Sequence, residues 1–255
     1  MELNNTPFWW HGPRPAACLM LHGLGGGVYE MAPLGQVLYQ QGWTVCGLNY
    51  PGHDRPAGRM PASRWEEWYG AVVAAYTELR QTYERVHIIG FSTGTLLGLH
   101  LAAHHPVASL TLLAPFFGIH QPWFSPWPTE VYVNTLGRLI ADLPRLRLPI
   151  HDPEMAALAK QVAFFHSFNL AAVRSACELM ALVKTELPRI TAAALILQSR
   201  RDQVVRPAGA QFLHDTLGST EKKLIWLHRS NHILTLDYER EQVTEAVVGF
   251  LNGRP

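Results

Sequence analysis

Ile88-Ile89-Gly90-Phe91-Ser92-Thr93-Gly94-Thr95 decides the fold of this chain. An apolar run enters it, and Leu96-Leu97-Gly98-Leu99, which reads as helix, leaves it. Strand, sharp turn, then helix is the context in which Gly-x-Ser-x-Gly puts a serine hydroxyl into a cleft. A serine on so tight a turn belongs to neither the sheet nor the helix. Gly90 and Gly94 have no Cβ, so strand and helix approach without a clash. The amide after the serine opens the helix and points at the cleft. The pentapeptide alone is common in proteins. Its competing reading is a glycine-rich turn whose serine merely caps a helix.

Working outward, Val86 to Phe91 and Ala108 to Ala114 read as strands on either side of the helix that runs to about His104. His104 and His105 end that helix, where a cation suits the dipole. Residues 64–83 form the clearest helix: Trp65, Trp68, Tyr69, Val72, Val73, Tyr76 and Leu79 recur at helical spacing. Ser63 and Glu66 give it a capping-box pattern. Trp43 to Leu48 reads as a strand, preceded by a helix over 31–41 that ends at Gly42. His53, in the turn-rich loop Asn49–Asp54, reads as a surface histidine, with a catalytic role as the lesser alternative. Residues 16–21, bounded by Pro15 and Gly23, suit a strand buried on both faces. The loop His22-Gly23-Leu24-Gly25-Gly26-Gly27 follows it. A phosphate cradle there would need a Lys-Ser/Thr pair or a suitably placed acid, and neither is present.

Toward the C-terminus the character changes between Pro115 and Pro188. Prolines crowd the first half, with Trp123, Phe124 and Trp127 among them. Two helical stretches follow, one with Met155, Leu158, Val162 and Phe165, the other with Leu170, Val173, Cys177 and Met180. No sheet strand is expected between 115 and 192, so an inserted helical cap over about 116–190 is expected within one domain, 1–255. The strand-helix rhythm resumes with Ala193 to Gln198, a helix from Pro207 to Leu217, a strand from Lys222 to His228, and a last helix carrying Val243, Val247, Phe250 and Leu251.

Composition narrows the classes. A length of 255 residues suits one α/β domain, and 48% hydrophobic residues suffice for a large core. A net charge of +1 gives no argument for nucleic acid. Thirteen histidines show no His-Glu-x-x-His spacing and the cysteines no Cys-x-x-Cys, so no metal is expected. Cys18, Cys46 and Cys177, an odd and widely spaced set, do not form a disulfide framework. With no signal-like N-terminus and no long apolar run, the expectation is a cytoplasmic protein without a membrane span.

A serine nucleophile needs a base, and the base an orienter. On a parallel sheet these sit just past the carboxyl ends of strands. Asp202 follows the first strand after the insertion and His232 follows the last strand, in the order serine, acid, histidine. The competitors are placed worse. Asp215 and His214 lie within a helix, His228 belongs to a strand, and Asp237 reads as a cap of the terminal helix.

In Leu21-His22-Gly23-Leu24, Gly90-Phe91-Ser92-Thr93-Gly94, Ser199-Arg200-Arg201-Asp202 and Ser230-Asn231-His232-Ile233-Leu234-Thr235-Leu236-Asp237, the chain resembles the small bacterial carboxylesterases and monoacylglycerol lipases of the α/β-hydrolase superfamily. The likeness is clearest outside 116–190. It implies an α/β-hydrolase fold, a mostly parallel central sheet flanked by helices, with a small helical cap after the strand ending near Ala114. It further implies a serine esterase without a cofactor, acting on medium-chain or glyceride esters. By matching positions, Ser92 is the nucleophile, Asp202 the acid and His232 the base, and the amides of Leu24 and Thr93 form the oxyanion hole. Thr93 departs from the Leu or Met usual in those enzymes and is expected to make the pocket floor more polar. Trp123, Phe124, Trp127 and Phe165 are candidates for an acyl tunnel, with packing inside the cap as the equal alternative. Other readings of the same triad are a thioesterase, an amidase, a carbon–carbon-bond hydrolase or a perhydrolase. A non-catalytic ligand receptor on this fold is the rival of another class. The expected partner is a small-molecule ester, and the sequence leaves the oligomeric state open.

Overall fold

Strand β2 (Ala16–Leu21) is buried at every position. Ala17, Leu19 and Leu21 enter one hydrophobic cluster, while Ala16, Cys18 and Met20 enter another. A strand covered on both faces has no polar side to show, so its sequence is a continuous apolar run. Strands β5 (Ser109–Leu113) and β8 (Ala194–Ser199), and β4 (Arg85–Phe91) beyond its first residue, are likewise buried at every position, polar side chains such as His87, Thr111 and Gln198 included. The structure is a computed structural model, described over residues 3–135 and 139–254.

These strands join β1 (Phe8–Trp10), β3 (Thr44–Gly47) and β9 (Lys222–Leu227) in a seven-stranded sheet of order β1-β3-β2-β4-β5-β8-β9. Only β1 runs antiparallel. Helices α2 (Trp65–Thr82), α3 (Thr93–His104), α6 (Leu170–Glu186) and α7 (Ala208–Thr216) cover one face, and α1 (Ala32–Gln40) and α8 (Arg240–Asn252) the other. The mostly parallel sheet flanked by helices is the α/β-hydrolase architecture expected above. Every strand expected from an apolar run is present. The half-buried β1 was not expected, because its apolar Phe-Trp-Trp is only three residues long. No helix among the described residues is long and apolar enough to cross a membrane.

Neighbouring strands β5 and β8 are separated in sequence by α4 (Thr129–Asn134), α5 (Pro153–Val162) and α6. The same stretch holds a two-stranded antiparallel pair, β6 (Asp142–Pro144) with β7 (Ser167–Asn169). That pair had not been expected; three-residue strands of mixed polarity leave no period to read. Helix α6 is tied to α3 by Glu186, whose carboxylate meets His100 Nδ1 at 2.8 Å, His104 Nε2 at 3.0 Å and the Arg189 guanidinium at 3.0 Å. His104 therefore has a buried carboxylate partner and does more than complement a helix dipole. The capping box of α2 also sits one residue later than expected. Arg64 occupies the cap and donates its amide to Glu67 Oε2, while Ser63 Oγ accepts from Trp68 Nε1.

Candidate active site

Ser92 stands alone between β4 and α3 with φ 53° and ψ −118°. A non-glycine residue held there costs on the order of 1–3 kcal/mol, so the surroundings must enforce it. They do so sterically. A Cβ on Gly94 would lie 2.2 Å from the Leu21 carbonyl oxygen, and one on Gly90 would lie 2.6 Å from the carbonyl oxygen of Gly94. The Ser92 amide donates to the Leu113 carbonyl at 2.9 Å, anchoring the turn to β5.

Asp202 follows β8 and His232 follows β9, and the fold brings both to Ser92. His232 Nε2 lies 2.9 Å from Ser92 Oγ, and His232 Nδ1 lies 2.8 Å from Asp202 Oδ2. With the ring proton on Nδ1, His232 donates to the carboxylate and accepts the serine hydroxyl. Asp202 Oδ1 accepts the amides of Val204 and Val205, and Oδ2 also accepts Gln198 Nε2. Burial pushes the Asp202 carboxyl up, but His232 and the two amides outweigh it and hold the group below its ordinary range. All three side chains are buried.

The His232 loop is held by Asp237. This carboxylate is fully buried and accepts the amides of Asn231, Tyr238, His151 and Asp152 at 2.7–3.0 Å. It is a staple between the histidine loop and the start of α5, where a cap for α8 was expected; Glu239 occupies that cap.

The loop after β2 supplies the remaining part of the site. Its amides at Gly23, Gly25 and Gly26 each have an acceptor: Glu30 Oε2 at 3.0 Å, His53 Nε2 at 3.0 Å and the Gly23 carbonyl at 3.1 Å. Arg145 Nη1 donates to the Gly25 carbonyl at 2.9 Å. The Leu24 amide has no acceptor among the described residues, and neither has that of Thr93 at the first turn of α3. Leu24 and Thr93 both line the cavity onto which Ser92 and His232 open.

His53 is not the surface histidine expected. It is fully buried, with ring contacts to Tyr50, Trp68 and Phe165. Burial holds it down to about 4, so Nε2 is free to accept the Gly25 amide. Glu30 is buried as well. Burial raises its carboxyl, against the opposing pull of Arg145 and the Gly23 amide. No local pattern in the sequence marks Glu30 or Arg145. Their roles arise only when the loop, α1's approach and β6 meet.

The cavity measures about 230 Å³. Phe116 and Ile119 wall one side, and Leu143, Phe168, Leu170 and Val173 come from the insertion. None of the four expected tunnel residues lines it. Trp123, Phe124 and Trp127 are 95%, 71% and 60% exposed, on a proline-rich stretch with no sheet beneath to bury them. Phe165 is buried, but its ring packs against His53, past the end of α5. The Thr93 hydroxyl oxygen is buried without a hydrogen-bond partner among the described residues, so its polarity is shielded from the cavity.

The chain is similar to several known proteins. The chain is 29% identical over 240 residues to the thermostable monoacylglycerol lipase of Bacillus sp. (strain H-257), covering 92% of this chain and 90% of that protein. It is 23% identical over 246 residues to a carboxylesterase of Bacillus subtilis (strain 168), covering 96% and 95%. Among solved structures, one from work on LipS and LipT, two metagenome-derived lipolytic enzymes, superposes with a TM-score of 0.85 at 26% identity, covering 99% of this chain and all of that one. A family model described as serine aminopeptidase, S33, matches residues 12–239, and with nearly the whole chain inside that match and the sheet and helices arranged as above, the protein belongs to this family of α/β-hydrolases.

Proposed function

We propose that the protein hydrolyses carboxylic esters through an acyl-enzyme on Ser92. One observation carries the reading: a hydrogen-bonded chain from Ser92 to His232 to Asp202 opens on an apolar cavity that two unpaired amides also line. In the first step His232 Nε2 takes the proton of Ser92 Oγ as the oxygen attacks the ester carbonyl. The negative charge that develops on the carbonyl oxygen is met by the amides of Leu24 and Thr93, each contributing on the order of 3 kcal/mol. His232 then gives its proton to the departing alcohol. In the second step it takes a proton from water as the water oxygen attacks the acyl carbon, then returns that proton to Ser92 Oγ as the acid leaves. Asp202 holds the imidazole in the required tautomer throughout. Residues 116–190 act as a cap whose apolar side chains receive the acyl chain, and short- to medium-chain esters or monoacylglycerols are the substrates proposed. The relatives named monoacylglycerol lipase and carboxylesterase support this class.

The family's description raises a peptide N-terminus as the rival substrate. A cationic amine fits this cavity poorly. Arg145 and Arg147 both line it, and the Glu30 carboxylate that also lines it is already bonded to the Gly23 amide. The test is hydrolysis of a p-nitrophenyl ester series and of monoacylglycerols, alongside an aminoacyl p-nitroanilide. Ser92→Ala is expected to lower ester turnover by roughly 10⁴-fold or more and to abolish labelling by a fluorophosphonate. Turnover of the anilide in preference to the esters would overturn the ester reading.

A further inference from the structure

A second groove, of about 410 Å³, lies on the inserted segment beside the Ser92 cavity. Arg145 and Arg147 border both spaces. His151, Lys160 and His166 supply the rest of the groove's ionisable lining, and no carboxylate lines it among the described residues. The whole chain carries a net charge of only +1, so this is a local concentration of cations and not the general character of the protein.

The five groups are not equally committed. Arg145 donates to the Gly25 carbonyl and lies near Glu30, and His151 Nδ1 bonds to the Arg229 carbonyl. Arg147 and Lys160 are exposed and have neither a hydrogen bond nor an ion pair among the described residues. The carboxylate of Asp152, next to His151, is occupied by Arg240 at 2.7 Å and by the amides of Glu154 and Met155. Uncompensated cations around a concave wall focus a positive potential there. A guanidinium presents a planar fork and an ammonium a point charge, and both suit a phosphoryl group.

We infer that this groove binds a phosphate-class anion carried on the alcohol part of an ester whose carbonyl sits at Ser92. The inference rests on the ester-hydrolase reading and narrows it. Arg147, which borders both spaces, is the residue that joins the ester's two ends, and Lys160 holds the far side of the anion.

The experiment compares 1-hexanoylglycerol with 1-hexanoylglycerol 3-phosphate, both at concentrations where they are monomeric, so that no lipid surface takes part. The wild-type protein should favour the phosphorylated ester by about tenfold in kcat/KM, with the difference in KM. Lys160→Ala should remove most of that preference and leave the neutral ester at its wild-type rate; Lys160→Glu should reverse it. Arg147→Gln should also raise KM for the phosphorylated ester. Inorganic phosphate should compete with the phosphorylated ester in the wild type and lose that effect in Lys160→Ala. If phosphate instead alters turnover of both esters equally in wild type and Lys160→Ala, the anion acts elsewhere and the inference falls. Equal kcat/KM for the two esters, with the neutral one turned over, overturns this inference and leaves the ester reading standing. Turnover of neither, nor of p-nitrophenyl hexanoate, overturns both.

Discussion

Thr93 and Leu24 offer the same group, a backbone N–H without an acceptor, yet the molecule holds the two in different ways. The Thr93 amide is fixed locally. Gly90, Ser92 and Gly94 leave the turn a single shape, because any Cβ at either glycine would strike backbone. The Leu24 amide is fixed from a distance. Glu30, His53 and Arg145 each take one polar group of the flanking glycines, from three different parts of the chain. Local constraint is rigid but unforgiving, since its failure is a failure to fold. Distant constraint is adjustable, and under the mechanism proposed above its failure should cost catalysis while the fold survives.

Gly94→Ala tests the first half of that contrast and carries the largest expected effect. Its Cβ would lie 2.2 Å from a main-chain oxygen of β2 that cannot yield without opening the sheet. A loss of about 4 kcal/mol or more is expected, read as a melting temperature lowered by roughly 10 °C or as failure to accumulate folded protein. A variant that folds normally with little activity would make the turn a functional device only. His53→Leu tests the second half. It keeps the volume but removes the acceptor of the Gly25 amide, so kcat should fall by about 10- to 100-fold with KM within a few-fold. His53→Gln restores an acceptor and should recover most of the loss, an outcome that simple packing does not produce. Wild-type kcat in His53→Leu would mean that Glu30 and Arg145 hold the loop unaided.

A third measurement concerns acid. Burial holds His53 and His87 down to about 4, below their ordinary value of 6.5, with Arg85 and Arg254 adding to the effect at His87. Between those values the unfolded chain binds protons that the folded chain does not. Stability should therefore fall as pH drops from 6.5 to about 4 and level off below that for these two groups. The contribution of each is on the order of 3 kcal/mol. Urea midpoints across that window should show the slope, and His87→Gln, near the start of β4 and four residues from Phe91 at its end, should reduce it without changing kcat at neutral pH. The smallest effect is expected at Thr93→Val. The hydroxyl is buried without a partner, so its removal should leave stability unchanged or raise it by up to about 1 kcal/mol. A clear loss in a thermal melt would show that the oxygen has a partner in solution.

The same division explains what the sequence made legible. The sheet, its flanking helices and the positions of Ser92, Asp202 and His232 rest on apolar runs and on strand ends, signals carried within a few residues. A histidine in a Pro-Gly turn reads as surface, but Trp68 and Phe165, from elements distant in sequence, close over His53 together with Tyr50 of its own loop. Arg145 reaches its glycine across 120 residues of sequence, and Glu30, though only seven residues from Gly23, sits in no pattern that marks it. Trp123, Phe124 and Trp127 erred the other way. Large apolar side chains suggested a lined tunnel, but a proline-rich stretch without a sheet behind it leaves them in water. The cavity's inserted wall is built instead from Leu143 and Phe168, on strands too short to leave a period, and from one side of α6.

Because the insertion leaves at the end of β5 and returns at β8, two strands that are already neighbours, the sheet places no demand on what lies between them. That makes the segment exchangeable in principle, and a foreign segment would be the natural way to give this scaffold a new substrate range. The Arg145–Gly25 bond and the Asp237 staple set the terms of such a graft. A donor must bring a guanidinium to the glycine loop and two free amides to the histidine loop. A donor chosen for its pocket alone would arrive with neither, and the recipient would gain a new wall while losing the register of its own machinery.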